Sequence, residues 1–450
     1  MKKFLKRFVP VLLCMALIAS LTGCFEIRFE KKTSRTTPAT EYTQPSTSRK
    51  PSQSSSSATG ETAERPSGGQ SSQVTIPEYQ EMSQDDFTEK CEQLSRLAAG
   101  TDANAVIALY DELYDDICII ADNSTVAYLN YSKDVTDEYW SDLKDTTDNM
   151  YTECTDAMMT ACADICDGPC ADAFEDHVGS DLFDEFAEYE PMTDEEIEIS
   201  RRVTELTTKY FSLIDGADTS YVDKILLRSV GMIFTELVSL RTRIAQIHGY
   251  DNYAEYAYEE VYGREYTKED VDSFREIVKK YSSDIFGLYY DDYRYNYYYG
   301  GASDDMSTSE VLSNLEKYGA KIDPVLTDAY EYMTSNNLYD ISEESGNRIA
   351  STFTIDYPGS KIPYIFITYD EDHNLNATTH EFGHFTHFML DPTPNALTGS
   401  IGDLDLAEIH STGLEFLYGY YFPEILGEED GTAMNAGYAP YLDYRALRDD

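Results

Sequence analysis

The sequence predicts a mainly α-helical protein: a large helical body carrying a small β-sheet edge beside one functional helix, preceded by a disordered tether. Three observations carry this. Leu226, Val230, Ile233, Leu237, Leu240, Ile244 and Ile247 alternate steps of four and three, the mark of a helix with one apolar stripe. Strand-like text is scarce, with residues 361–368 (Lys-Ile-Pro-Tyr-Ile-Phe-Ile-Thr) the clearest case. The chain from Phe25 to Glu78 is rich in Ser, Thr, Pro and Gly and has no apolar period, so it cannot bury enough surface to fold. At 42% apolar and 13% aromatic residues, the rest is too rich in core material to be disordered.

The first 23 residues read as an export signal. Lys2, Lys3, Lys6 and Arg7 precede an apolar run from Phe8 to Ala19, which is too short to span a bilayer comfortably. Leu21-Thr22-Gly23-Cys24 resembles a bacterial lipoprotein cleavage site, which implies lipid on Cys24 and a place on the outer face of the bacterial cytoplasmic membrane. An ordinary secretory signal is the alternative. Residues 24–78 then form the tether.

Charge is unevenly spread. Ten Lys or Arg oppose Glu26, Glu30 and Glu41 in the first fifty residues, which therefore carry +7 and leave −56 of the total −49 on the remaining 400. So acidic a body excludes nucleic acid as a partner. It favours cationic over acidic peptides as ligands.

Residues 79–190 form an N-terminal helical region without a recognisable motif, in which Val106, Leu109, Leu113, Ile117 and Ile120 repeat the helical period. In residues 191–450 the long striped helix is stopped by Gly249. Pro363 suits an edge strand better than a central one. The Tyr-rich run 289–299 reads as a half-buried helix end or as a peptide-binding surface. With Cys14 removed and Cys24 acylated, Cys91, Cys118, Cys154, Cys162, Cys166 and Cys170 remain, and they allow fifteen disulfide pairings or a set of buried thiols. The spacing of the last three does not fit a zinc site.

His380-Glu381-Phe382-Gly383-His384 carries the chemistry in a chain with seven histidines. Residues four apart share a helix face, so both imidazoles reach one metal ion, and Glu381 stands where a carboxylate takes a proton from water. Asn376 is the expected helix cap and Asp391-Pro392 the expected stop. Two imidazoles leave a tetrahedral zinc one protein ligand short if water fills the fourth position. Downstream, Glu408-Ile409-His410-Ser411 opens a second amphipathic stretch with Leu406, Ile409, Leu414 and Leu417 on its apolar side.

His-Glu-Phe-Gly-His followed by Glu-x-x-Ser and Glu415 resembles the thimet oligopeptidase and oligoendopeptidase F family of zinc peptidases. Arg243-Ile244-Ala245, Gly249 to Tyr253, and Pro363 to Phe366 leading to Thr378-Thr379-His380 add to the likeness, which runs from about residue 200 to 450. The resemblance implies one zinc ion, with Glu408 as the third ligand beside His380 and His384. It also implies hydrolysis of short unfolded oligopeptides in a channel between helical halves. Zinc lowers the pKa of its water towards ~7 and polarises the scissile carbonyl. Glu381 accepts the water proton and passes it to the leaving amine. The strand near Tyr364 is expected to pair with substrate backbone.

His387, seven residues after His380, is a candidate for orienting the site, binding substrate or packing. Glu415 is a candidate acceptor for a ligating imidazole, or a solvated helix residue. His373 reads as a loop histidine. His410 departs from the family, which often has a small residue or Pro there. Family members also continue into helices supplying a His and Tyr pair, and Tyr438, Tyr441 and Tyr444 offer no clear substitute before Asp450. The reading is therefore a truncated catalytic region or an impaired relative. Endopeptidase action leads, with a dipeptidyl-carboxypeptidase-like exopeptidase and a surface peptide-binding lipoprotein as alternatives. Oligomeric state is not legible.

Overall fold

A computed structural model describes residues 74–214, 224–262, 306–343, 351–368, 374–392 and 404–426, with short stretches between them. The expected signal, Cys24, the tether before Val74, the 289–299 tyrosines, His373 and Tyr438, Tyr441 and Tyr444 lie outside the described residues.

The body is mainly helical, as the periodicity predicts, with one small sheet. Its first layer comprises α1 (Gln84–Ala98), α2 (Ala103–Lys133), α3 (Glu138–Cys166), α4 (Ala171–Val178) and α5 (Ser180–Ala187). Ser83, Asp102 and Asp137 start the three long helices by accepting backbone N–H bonds from the first turn. The periodic residues Val106, Leu113, Ile117 and Ile120 are all fully buried here, with Phe87, Leu94, Met158 and Phe174. These six cysteines are free thiols in or against this core, and no disulfide forms among the described residues. Burial pushes the Cys91 thiol up to about 12. The packed chain already includes Val74 and Ile76, and the Val74 N–H donates to Asn336 at 2.9 Å, ahead of the expected tether end at Glu78.

α6 (Asp194–Ile214) pairs with α7 (Lys224–Ile247), the striped helix, around Ile199, Val203, Ile244, Ala245 and Tyr256. The chain leaves α7 through Gly249 at φ +82°, a left-handed turn that favours glycine.

The principal core is built on α8 (Thr308–Ile322), α9 (Pro324–Ser335) and the sheet, and includes the end of α2. Strands β1 (Tyr339–Ser342), β2 (Thr352–Tyr357) and β3 (Ile362–Thr368) are ordered β1-β3-β2, with β1 parallel and β2 antiparallel to β3. The strand 362–368 is therefore central, not the edge that Pro363 suggests. Backbone N–H groups two residues apart point to the same side of a strand. The Ile365 N–H donates to Leu338, beside β1. Pro363, whose nitrogen faces that way too, stands before the β1 pairing begins at Tyr339↔Ile365. The missing donor costs no ladder bond.

Helices α10 (Asn374–Leu390), α11 (Leu404–Gly419) and α12 (Phe422–Leu426) are the last elements among the described residues. α10 lies against β2, β3 and α11, with Phe382 and Phe385 fully buried. Among the described residues, no helix is long and apolar enough to cross a membrane.

Candidate metal centre

α10 begins at Asn374, so Asn376 sits in its first turn instead of capping it, and the helix ends before Asp391 as expected. Buried Thr378, Thr379, Phe382 and Phe385 fix the helix on the sheet and leave His380 and His384 one turn apart, ring edge to ring face, on the side facing α11.

Gly383 sets how closely α11 approaches. A Cβ at this position would lie 2.6 Å from Ser411 Cα and 2.9 Å from the His410 carbonyl oxygen, so only glycine allows this backbone contact. The approach brings Glu408 against the two imidazoles. His380 Nε2 lies 3.1 Å and His384 Nε2 3.4 Å from Glu408 Oε2, and the nitrogens are 3.2 Å apart.

Two of the three residues are held from behind. His380 Nδ1 donates a short hydrogen bond to buried Glu415, so that once a metal ion displaces the second proton the ring presents its Nε2 to the triangle. Ser411 Oγ donates to Glu408 Oε2 at 2.7 Å. Burial opposes charge on His380, but Glu408 and Glu415 outweigh it and hold the imidazole up to about 10. Burial likewise opposes the Glu408 charge, yet the two imidazoles hold its carboxyl well below the usual range.

The triangle fits a metal ion. Bonds of about 2.0–2.1 Å in a tetrahedron place ligand atoms about 3.3 Å apart, and the observed edges match. Two imidazole nitrogens and one carboxylate oxygen form a donor set suited to zinc. Glu381 is 2% exposed, and its Oε2 accepts a 2.8 Å hydrogen bond from Thr354 of β2.

Other candidates stand apart from this cluster. The His387 ring stacks on His410, with centroids 4.0 Å apart and planes at 14°, and not on the triangle. That contact explains the unexpected His410: it packs across the helix pair beyond Gly383. Burial, with His410 adding to it, holds His387 below its ordinary pKa. Tyr364 is 7% exposed and meets Tyr357 edge-on. Thr354 pairs with Ile365, and side chains alternate across a sheet, so Tyr364 points away from the face that carries Thr354 and the metal helix.

The apolar side expected for α11 is divided. Leu414 is buried, but Ile409 and Leu417 are 59% and 52% exposed. The buried face is instead Ser411, Leu414, Glu415 and Tyr418. Two of these are polar because they face the cluster, which hides the stripe from a hydrophobicity count. Sequence reasoning gave no role to Gly383, Ser411 or Thr354. The spacing of Ser411 three residues after Glu408 is a usable signal, and Thr354 has none.

The comparisons agree with this architecture. The structure resembles a protein from Bacillus anthracis str. Ames named as an oligoendopeptidase F, with TM-score 0.68, 18% identity and 82% of this chain matched to 76% of that one. PZ peptidase A, solved with an inhibitor, gives TM-score 0.63 at 19% identity, over 82% of this chain and 74% of its own. A further oligoendopeptidase F structure gives 0.64 at 17%, over 82% and 73%. No family model and no curated protein matches the sequence. The helical fold is therefore that of the oligoendopeptidases.

Proposed function

We propose that the chain is a zinc metallopeptidase that hydrolyses short unfolded oligopeptides, exported and held at the outer face of the bacterial cytoplasmic membrane by lipid on Cys24. The observation that carries the reading is the His380–His384–Glu408 triangle with Glu381 beside it, in an oligoendopeptidase fold. His380, His384 and Glu408 hold one zinc ion, which when bound supplies Lewis-acid polarisation of a peptide carbonyl and acidifies water. Glu381 takes the proton of the attacking water and returns it to the leaving amine. Glu415 keeps His380 in the metal-binding tautomer, and Ser411 holds Glu408.

A peptide backbone could meet the outer edge of β2 at Thr354, short of Asp356, whose carbonyl is taken by Thr125 of α2. Thr354 pairs with Ile365, whose N–H turns to β1, so the Thr354 backbone groups point outward from the sheet, next to Glu381. An extended chain fits such an edge and a folded protein does not. The strongly acidic body favours cationic peptides.

Zinc analysis and cleavage of a quenched peptide library by the chain from Cys24 onward test the reading, with products mapped by mass spectrometry. One zinc per chain and internal cuts are expected. Trimming from the ends assigns an exopeptidase, and zinc without cleavage assigns a peptide-binding lipoprotein.

A further inference from the structure

The Thr354 hydroxyl lies between two oxygens of one residue, 2.8 Å from Glu381 Oε2 and 2.9 Å from the Glu381 main-chain carbonyl. It has a single proton, and a bond to an ionised carboxylate is about twice as strong as one to a neutral acceptor. The proton therefore goes to Oε2 while Glu381 is charged. Glu381 Oε1 makes no hydrogen bond among the described residues. Thr354 itself is rigidly held, since its neighbours Phe353 and Ile355 are buried in the core and its backbone is registered against Ile365.

We propose that Thr354 is the positioning residue of Glu381: it pins Oε2 and leaves Oε1 as the oxygen that takes and returns the proton. This rests on the proposed role of Glu381 as general base. The Thr354 bond holds the Glu381 carboxylate in one side-chain orientation, with its second oxygen left unbonded.

The test compares Thr354→Val, Thr354→Ser and Glu381→Gln on a quenched peptide, with zinc affinity and melting temperature measured for each. Thr354→Val should lower kcat by about 10- to 100-fold while KM stays within about twofold. Its zinc affinity should stay close to that of the parent, and its melting temperature should fall by no more than about 8 °C, because Glu381 loses one donor. Thr354→Ser, which keeps the hydroxyl, should recover kcat to within about threefold. With Glu381→Gln inactive, an unchanged kcat in Thr354→Val overturns the inference. A loss that tracks zinc or melting temperature and is not rescued by Ser also overturns it, by making Thr354 a fold residue. Cleavage by Glu381→Gln removes the base reading itself, and this inference with it.

Discussion

Gly383→Ala is the substitution that most sharply separates a built metal centre from an incidental pair of histidines. On helix propensity alone it should stabilise α10 by about 1 kcal/mol. The structure reverses that sign. The added Cβ would meet backbone of α11 at 2.6, 2.9 and 3.0 Å, where ordinary contact begins at 3.4 Å. Backbone cannot swing aside, so the helices must part by several tenths of an ångström. Overpacking of this kind costs about 1–3 kcal/mol, which leaves a net loss of up to ~2 kcal/mol. The larger effect falls on the metal. Glu408 is carried by α11 and the imidazoles by α10, and zinc ligation tolerates only about ±0.2 Å. Affinity should fall at least tenfold, by the measure of other disturbances near ligands. Gly413→Ala is the control, on the exposed side of α11 with nothing within 4 Å of its added Cβ, and it should be neutral or stabilising. Thermal unfolding and competitive zinc titration read both variants. An unchanged melting temperature and zinc affinity in Gly383→Ala would refute the reasoning.

Three further outcomes are expected. Glu415→Gln leaves His380 without its carboxylate partner and should weaken zinc binding about 10- to 100-fold, read by competition with a chelating dye. Asp122→Ala should cost about 1–3 kcal/mol in urea unfolding, because the Gly359 and Ser360 donors that Asp122 accepts in the β2–β3 turn lose their partner. Burial disfavours charge on Glu196, but His248 at 2.5 Å and Thr193 outweigh it and lower the carboxyl from 4.5 to about 2. The folded pKa is depressed, so this contribution, at most about 3 kcal/mol, is present above pH 4.5 and lost as pH falls towards 2. Glu196→Gln should flatten the stability profile in that window, and an identical profile counts against the pairing.

The parts of the fold legible in the sequence are those whose burial follows one period. The stripes of α2 and α7 and the Gly249 stop lie where the pattern places them, because each of these stripes faces one core. The pairing of the two imidazoles was legible for the same reason: residues four apart on a helix must share a face. β1 and β2 escaped because they are four and six residues long, and their identity depends on pairing with β3. The central place of β3 was misjudged from Pro363, since the point at which β1 begins is not written in β3. Thr354 could not be found at all. Its role exists only because β2 passes Glu381, a contact across 27 residues set by the sheet. The buried side of α11 was misread because Ser411 and Glu415 are interior yet polar.

The central claim is that two imidazoles and one carboxylate hold the metal. X-ray absorption at the zinc edge of the loaded chain tests it most directly. The account predicts a first shell of nitrogen and oxygen alone at about 2.0–2.2 Å, with the outer-shell pattern of two imidazoles. That pattern should disappear in His384→Ala. A sulfur shell at about 2.3 Å, from any of the six free cysteines, would contradict it.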